Sequence, residues 1–113
     1  MIFVVHEHAA SRHHFDFWLE MDGVLKSWAV PGGIPETAGV RKLAVEVPDH
    51  DLAYADFEGE IPEGEYGAGT VSIWDRGTYR LLKRLPDRIE VELHGRRLNG
   101  RYLLILFKEE GRR

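Results

Sequence analysis

The sequence predicts an all-β fold, a single small antiparallel β-barrel of about eight strands with at most short helical turns. Three observations lead there. Short stretches alternate apolar and polar residues with a period of two, 12 glycines and 5 prolines punctuate them, and no segment carries a convincing helical stripe. At 113 residues and 43% hydrophobic content, the chain has enough apolar material for one core and too little for two ordinary domains, so residues 1–113 are read as one domain. Many short strands expose many edges, and closing the sheet removes them.

Ile2 to Val5 opens the chain as an apolar strand. From His13 to Met21 the alternation places Phe15, Phe17, Leu19 and Met21 on one face and His14, Asp16, Trp18 and Glu20 on the other, so one side is core and the other is available for chemistry. Asp22-Gly23 is a two-residue hairpin turn, Val24 to Val30 returns as the partner strand, and Pro31-Gly32-Gly33 ends it. Pro35 to Gly39 is the one place for a short helix or irregular turn. Leu43 to Val47 is a strand, and Pro48 to Glu65 reads as a long functional loop with a short strand around Ala55 to Glu58. Gly64-Glu65-Tyr66-Gly67-Ala68-Gly69 precedes a strand instead of opening a helix, so it is a tight turn and not a phosphate cradle. Gly69 to Asp75, Thr78 to Leu85, Arg88 to Leu93 and Arg101 to Phe107 complete the strands. Trp28, Trp74, Tyr79 and Tyr102 fall in strands as core residues.

Composition narrows the chemistry. Cysteine is absent, which excludes disulfide staples, zinc ribbons, iron–sulfur clusters and a thiol nucleophile. No stretch approaches the roughly 20 apolar residues of a membrane helix, and the N-terminus lacks the form of a signal peptide, so a cytoplasmic location is expected. The net charge of −4 hides a division: residues 1–75 carry 4 basic and 14 acidic side chains, and the remainder 11 basic and 5 acidic. The basic part can follow a phosphate backbone, or it can be a solvated face of intrachain ion pairs. One Asn and no Gln beside 30% charged residues point to a thermophilic source.

Four of the six histidines lie within the first fourteen residues: His6, His8, His13 and His14, with Asp16 following. Two-residue spacing sets His14 and Asp16 side by side on one strand face, where an imidazole nitrogen and a carboxylate oxygen can share a metal. His8 in the preceding segment is the third candidate ligand, giving a His/His/Asp site with open positions. A His-x-Asp pair is also common by chance. His13 alternates onto the apolar face and is read as a core or rim residue, and His6 is read as a non-ligand. His50 and Tyr54, in the long loop, are either a proton donor and a phosphate-oxygen partner or plain loop polar groups. Trp18 falls beside the proposed site.

The run Phe3-Val4-Val5-x-x-His8-x-Ala10-x-x-x-His14-Phe15-Asp16-Phe17-x-Leu19-Glu20-x-Asp22-Gly23-Val24-Leu25-Lys26-Ser27-Trp28-Ala29-Val30-Pro31 closely resembles the opening of the 3′-phosphoesterase domain of bacterial DNA ligase D and its stand-alone archaeal relatives. The resemblance continues through Leu43-Ala44-Val45, His50-x-x-x-Tyr54, Phe57-Glu58-Gly59-x-Ile61-Pro62-x-Gly64-x-Tyr66-Gly67-Ala68-Gly69-Thr70-Val71 and Leu93-His94-Gly95-x-Arg97-Leu98-x-Gly100. It implies a small β-barrel enzyme of DNA repair with a manganese-dependent site, which removes a 3′-terminal ribonucleoside and then the remaining 3′-phosphate to leave a 3′-hydroxyl. Carried over, the metal ligands are His8, His14 and Asp16, and His50 with Tyr54 contacts the scissile phosphate. The implied partners are DNA or DNA/RNA primer-template 3′ ends, with a separate ligase and polymerase nearby; from the sequence itself no membrane partner and a monomeric chain are expected.

The chain also departs from the family pattern. Trp18 stands where an Arg is usual, Pro31-Gly32-Gly33 replaces Pro-Lys-Gly, and Lys42 replaces an Arg, with Arg41 adjacent. Many members carry a further N-terminal segment that precedes the point where this sequence begins. Each lost donor around a charged transition state is worth about 3 kcal/mol, so weakened or narrowed activity is implied. Lys26, Arg41, Lys42 and the basic C-terminal part are expected to position the strand, and Trp18 is either the loss of a phosphate-binding guanidinium or a platform on which a terminal base stacks, which would turn that loss into an altered specificity. Two rivals belong to other classes: a catalytically weakened module that binds nucleic-acid ends or a repair partner, and a non-haem iron oxygenase built on His14, Asp16 and His50.

Overall fold

The computed structural model describes residues 1–10, 12–36, 42–64 and 68–105. Among the described residues eight strands follow in chain order: β1 (Ile2–Ala9), β2 (His13–Met21), β3 (Val24–Val30), β4 (Val45–His50), β5 (Gly59–Ile61), β6 (Gly69–Leu85), β7 (Arg88–His94) and β8 (Asn99–Ile105). A five-residue 3-10 turn, Leu52–Asp56, lies between β4 and β5. All are antiparallel in one sheet ordered β4-β3-β2-β1-β6-β7-β8, with β5 paired to β6. The expected all-β class is the one found, as a curled half-barrel.

Period-two patterning decides which side of the sheet is core. Phe3, Val5, Phe17, Leu19, Met21, Trp28, Val30, Tyr79, Ile89, Val91, Leu93 and Leu98 form one buried cluster. It draws on strands from β3 to β7, which a flat sheet cannot bring together, so apolar burial and curl are one fact. Tyr102 of β8 donates its hydroxyl to the Pro35 carbonyl at 2.8 Å, tying the far edge to the segment after β3. The β2–β3 hairpin turns on Asp22 (φ 58°) and Gly23 (φ 81°), the paired left-handed residues that a tight two-residue turn requires.

Several boundaries differ from expectation. β1 runs on to Ala9, because Glu7 and His8 continue the pairing with β2 and β6. β4 is shifted to Val45–His50. The segment Ala55 to Glu58 is not a strand: Ala55 and Asp56 end the 3-10 turn, and the short strand follows at Gly59–Ile61. Burial explains this, since Ala55 packs with Val4, Trp18 and Leu25 in a second, smaller cluster on the opposite face. Gly69 to Leu85 is one 17-residue strand instead of two. Gly77 is no break; a Cβ there would collide with the His94 carbonyl oxygen, so the glycine permits close approach of β7. Residues 37–41 and 65–67 and those beyond Ile105 lie outside the described residues, and with them part of the expected Pro35–Gly39 turn, the Glu65-Tyr66-Gly67 turn and the end of the last strand.

Asp75 is the main polar strut. Its buried carboxylate accepts the backbone N–H groups of Arg76, Arg96, Arg97 and Leu98 at 2.8–3.1 Å, holding the β7–β8 turn against the sheet. Of the eight described basic residues after Asp75, four are ion-paired: Arg76 with Asp56, Arg80 with Glu92, Arg84 with Asp22 and Arg88 with Asp87. Arg97 lies over the Trp74 ring, 4.5 Å from its centroid. Among the described residues no helix is long and apolar enough to cross a membrane.

Candidate active site

The site is built on the face of β1 and β2 opposite the main core. Their register pairs His8 with His14, His6 with Asp16 and Val4 with Trp18. Strand alternation sends all six to one side, and cross-strand pairing makes them neighbours. Asp16 lies between two imidazoles, its Oδ2 3.4 Å from His8 Nδ1 and its Oδ1 3.3 Å from His14 Nε2. Ligand atoms of His8, His14 and Asp16 all lie within 4.8 Å of one another, and this is the one such trio among the described residues. His50 therefore does not complete a triad with His14 and Asp16.

The donor set suits a divalent cation. His14 Nδ1 lies 3.0 Å from the Arg12 carbonyl oxygen, which can only accept, so Nδ1 carries a proton and Nε2, facing Asp16, is the atom that would bind a metal. Two imidazoles and one carboxylate match zinc, iron or manganese and leave coordination positions open. His6 is not in the trio. It is fully buried, neither ring nitrogen makes a hydrogen bond of standard geometry, and burial pushes its pKa down against the pull of the Ala55 backbone and the Asp16 charge.

β4 and the 3-10 turn bring the second half of the site. His50 ends β4, and its Nδ1 donates to the Pro48 carbonyl at 3.1 Å, leaving Nε2 free to serve a ligand. Tyr54 sits beside it, ring centroids 5.2 Å apart. Both rest on Trp18, whose centroid is 4.7 Å from His50 and 5.4 Å from Tyr54. Burial first, and the Asp16 charge second, raise the Tyr54 pKa, so at neutral pH its phenol is a hydrogen-bond donor.

One open cleft of about 1020 Å³ includes His8, His14, Asp16, Trp18, His50 and Tyr54 in its lining. Trp18 is only 3% exposed, and its indole wedges between sheet and turn, which leaves little surface on which a base could stack. Lys26 does not line the cleft; it shares strand parity with Trp28 on the core side and pairs with Asp49 at 3.1 Å. Lys42 packs near Gly32, also off the cleft, and Arg41 lies outside the described residues. None of the described basic residues after Asp75 lines it either. Among the described residues the cleft's one Lys or Arg is Arg12, and Phe57, Ile61 and Pro62 form an apolar stretch of its wall, residues that sequence reasoning did not single out as functional. Arg12 had a usable signal, two positions before a candidate ligand in a turn that must curve back.

The loop carrying Tyr54 is pinned at two points. Arg76 pairs with Asp56 at 2.8 Å, and Glu58 Oε2 accepts the Ile73 backbone N–H at 2.7 Å. The second contact falls where the β1–β6 register shifts between Val5 and His6, so Glu58 receives an N–H at the bulge that the ladder would otherwise misplace.

Comparison with known proteins agrees over most of the chain. A family profile described as the DNA ligase D 3′-phosphoesterase domain matches residues 6–106. The multifunctional non-homologous end joining DNA repair protein LigD of Mycobacterium tuberculosis (strain H37Rv) is 55% identical over 107 residues, covering 91% of this chain and 14% of that protein. The multifunctional non-homologous end joining protein LigD of Pseudomonas aeruginosa is 51% identical over 108 residues, covering 91% and 13%, and that of Mycolicibacterium smegmatis is 47% identical over 117 residues, covering 94% and 15%. The chain thus spans about a seventh of the length of these relatives.

Proposed function

The chain belongs to the DNA ligase D 3′-phosphoesterase domain family, and on that premise we propose that it is a manganese-dependent phosphoesterase that trims nucleic-acid 3′ ends during DNA end joining. The observation that carries the reading is the convergence of His8, His14 and Asp16 within 4.8 Å in the same cleft as His50 and Tyr54. A divalent cation bound by that trio would supply Lewis-acid polarisation of a phosphate oxygen and a more acidic bound water.

The reaction is two hydrolyses. In the first, water adds to phosphorus and the bond to O5′ of the terminal ribonucleoside breaks, leaving a 3′-phosphate; in the second, water releases inorganic phosphate and a 3′-hydroxyl. In its imidazolium form, with Nδ1–H held by the Pro48 carbonyl, His50 has a second proton on Nε2 to deliver to the leaving oxygen, and it returns to that form by taking a proton from water. The Tyr54 phenol donates a hydrogen bond to a phosphoryl oxygen, where developing charge strengthens it. Trp18 fixes the positions of both rings from beneath. The natural substrates are DNA or DNA/RNA 3′ ends, handled alongside a ligase and a polymerase.

The test is a labelled-strand assay with manganese, comparing a primer-template that ends in a ribonucleotide with one that ends in a 3′-phosphate. Conversion by the wild type and its loss in His14→Ala supports the reading; turnover retained in His14→Ala rejects it. Manganese and strand binding without turnover of either substrate would instead select the binding-module reading, which the scarcity of Lys and Arg among the cleft's described lining residues favours.

A further inference from the structure

We propose that Phe57 is the platform on which the base of the 3′-terminal nucleoside stacks, so that the cleft recognises its leaving group by an aromatic contact; this deepens the phosphoesterase reading and rests on it. Phe57 is half-buried in the cleft wall, and its ring stacks on Tyr54 with centroids 5.0 Å apart and planes 11° from parallel. Tyr54 in turn adjoins His50, so His50, Tyr54 and Phe57 form a row of three rings with Phe57 at its end, next to the pair that handles phosphate. Ile61 and Pro62 continue the apolar wall.

The ring is held in advance. Its neighbours on either side, Asp56 and Glu58, are the two residues that tie the loop to β6. An aromatic side chain fixed on both flanks yet left partly uncovered is a preorganised anchor, since stacking on it costs little ordering. Charge selects which part of the strand lies there. Among the cleft's described lining residues Arg12 is the one Lys or Arg, set against the carboxylates of Asp16, Asp49 and Glu60, a balance that disfavours a run of phosphodiesters. Beyond the scissile phosphate the terminal nucleoside is neutral. The cleft's volume exceeds what an ion and one phosphate fill, leaving room for it.

The experiment uses strands carrying the fluorescent base 2-aminopurine, whose emission falls on stacking, at the 3′-terminal ribonucleotide or at the penultimate position. Binding to the wild type without metal is expected to quench the terminal base and not the penultimate one. In Phe57→Ala that quench is expected to disappear, and Phe57→Leu, which keeps much of the volume, is expected to lose it as well. In the manganese assay, the ratio of kcat/KM for the ribonucleotide end to that for the 3′-phosphate end is expected to fall about tenfold in Phe57→Ala. An abasic terminal ribose should lower the wild-type ratio similarly and leave that of the variant unmoved. Quenching of the penultimate base, quenching that survives in both variants, or an equal loss on the two substrates would overturn the proposal. A wild type that quenches the terminal base yet turns over neither substrate would count against the phosphoesterase reading while upholding the stacking site.

Discussion

The two faces of this sheet are made by the same strands and held by different means. On one face, a cluster of twelve residues from Phe3 to Leu98 is closed by the curl of the sheet itself. On the other, the small cluster of Val4, Trp18, Leu25 and Ala55 is closed by a short turn pinned at Asp56 and Glu58, and His6, His8, His14 and Asp16 continue beside it. The core face is insulated from chemistry, while the site face trades apolar burial for ligands on rigid strands and a loop that completes them. Damage to the first should therefore unfold the protein, and damage to the second should disable it with the fold intact.

The largest effect is expected at Asp75. Replacing it with Ala strands four backbone donors against the core, and a loss of about 3–5 kcal/mol in urea unfolding is expected. Unchanged unfolding would show that the carboxylate is no strut. His14→Ala is expected to lower manganese-dependent turnover at least about a hundredfold with an unchanged circular dichroism spectrum. A concomitant loss of structure would dissolve the distinction between the faces.

A third effect is read by pH. Tyr79, 4% exposed in the core, donates to the Glu20 carbonyl at 2.6 Å, and burial first, then the Glu20 charge, pushes its pKa up to about 12 from 10.0. The unfolded phenol ionises first as pH rises, so the stabilisation is intact below pH 10 and is lost between about pH 10 and pH 12, by roughly 2–3 kcal/mol. Tyr79→Phe should flatten that alkaline limb while costing about 1 kcal/mol at neutral pH, measured by urea titrations across pH. The smallest effect is expected at Glu58. Glu58→Ala should reduce kcat about tenfold with little change in stability, and Glu58→Gln, which can still accept the Ile73 N–H, should restore most of it. Failure of Gln to rescue would show that the carboxylate acts by charge and not by holding the loop.

Much of this was legible before any coordinates. Alternation from His13 to Met21 separates the two faces, and the Asp22-Gly23 turn sets the hairpin register. Strand parity groups His14 with Asp16, and His8 joins them because β1 runs on to pair it with His14; the same parity assigns Lys26 to the side of Trp28, away from the ligands. What escaped depends on distant partners. Gly77 looks like a breaker along the chain, yet its role is set by the backbone of His94 across the sheet. The turn around Tyr54 is chosen by burial of Ala55 against Trp18 and Leu25, not by local propensity. Trp18 sits on the polar face by alternation, and only the turn above it reveals an indole that supports the site from beneath.

The most direct test is calorimetric titration of the whole chain with Mn²⁺, beside His14→Ala and Asp16→Asn variants whose fold is confirmed by circular dichroism. One manganese ion per wild-type chain, with binding lost in both variants, is the expected result. Equal stoichiometry and affinity in the wild type and both variants would place the ion elsewhere and contradict a metal centre on the β1–β2 face.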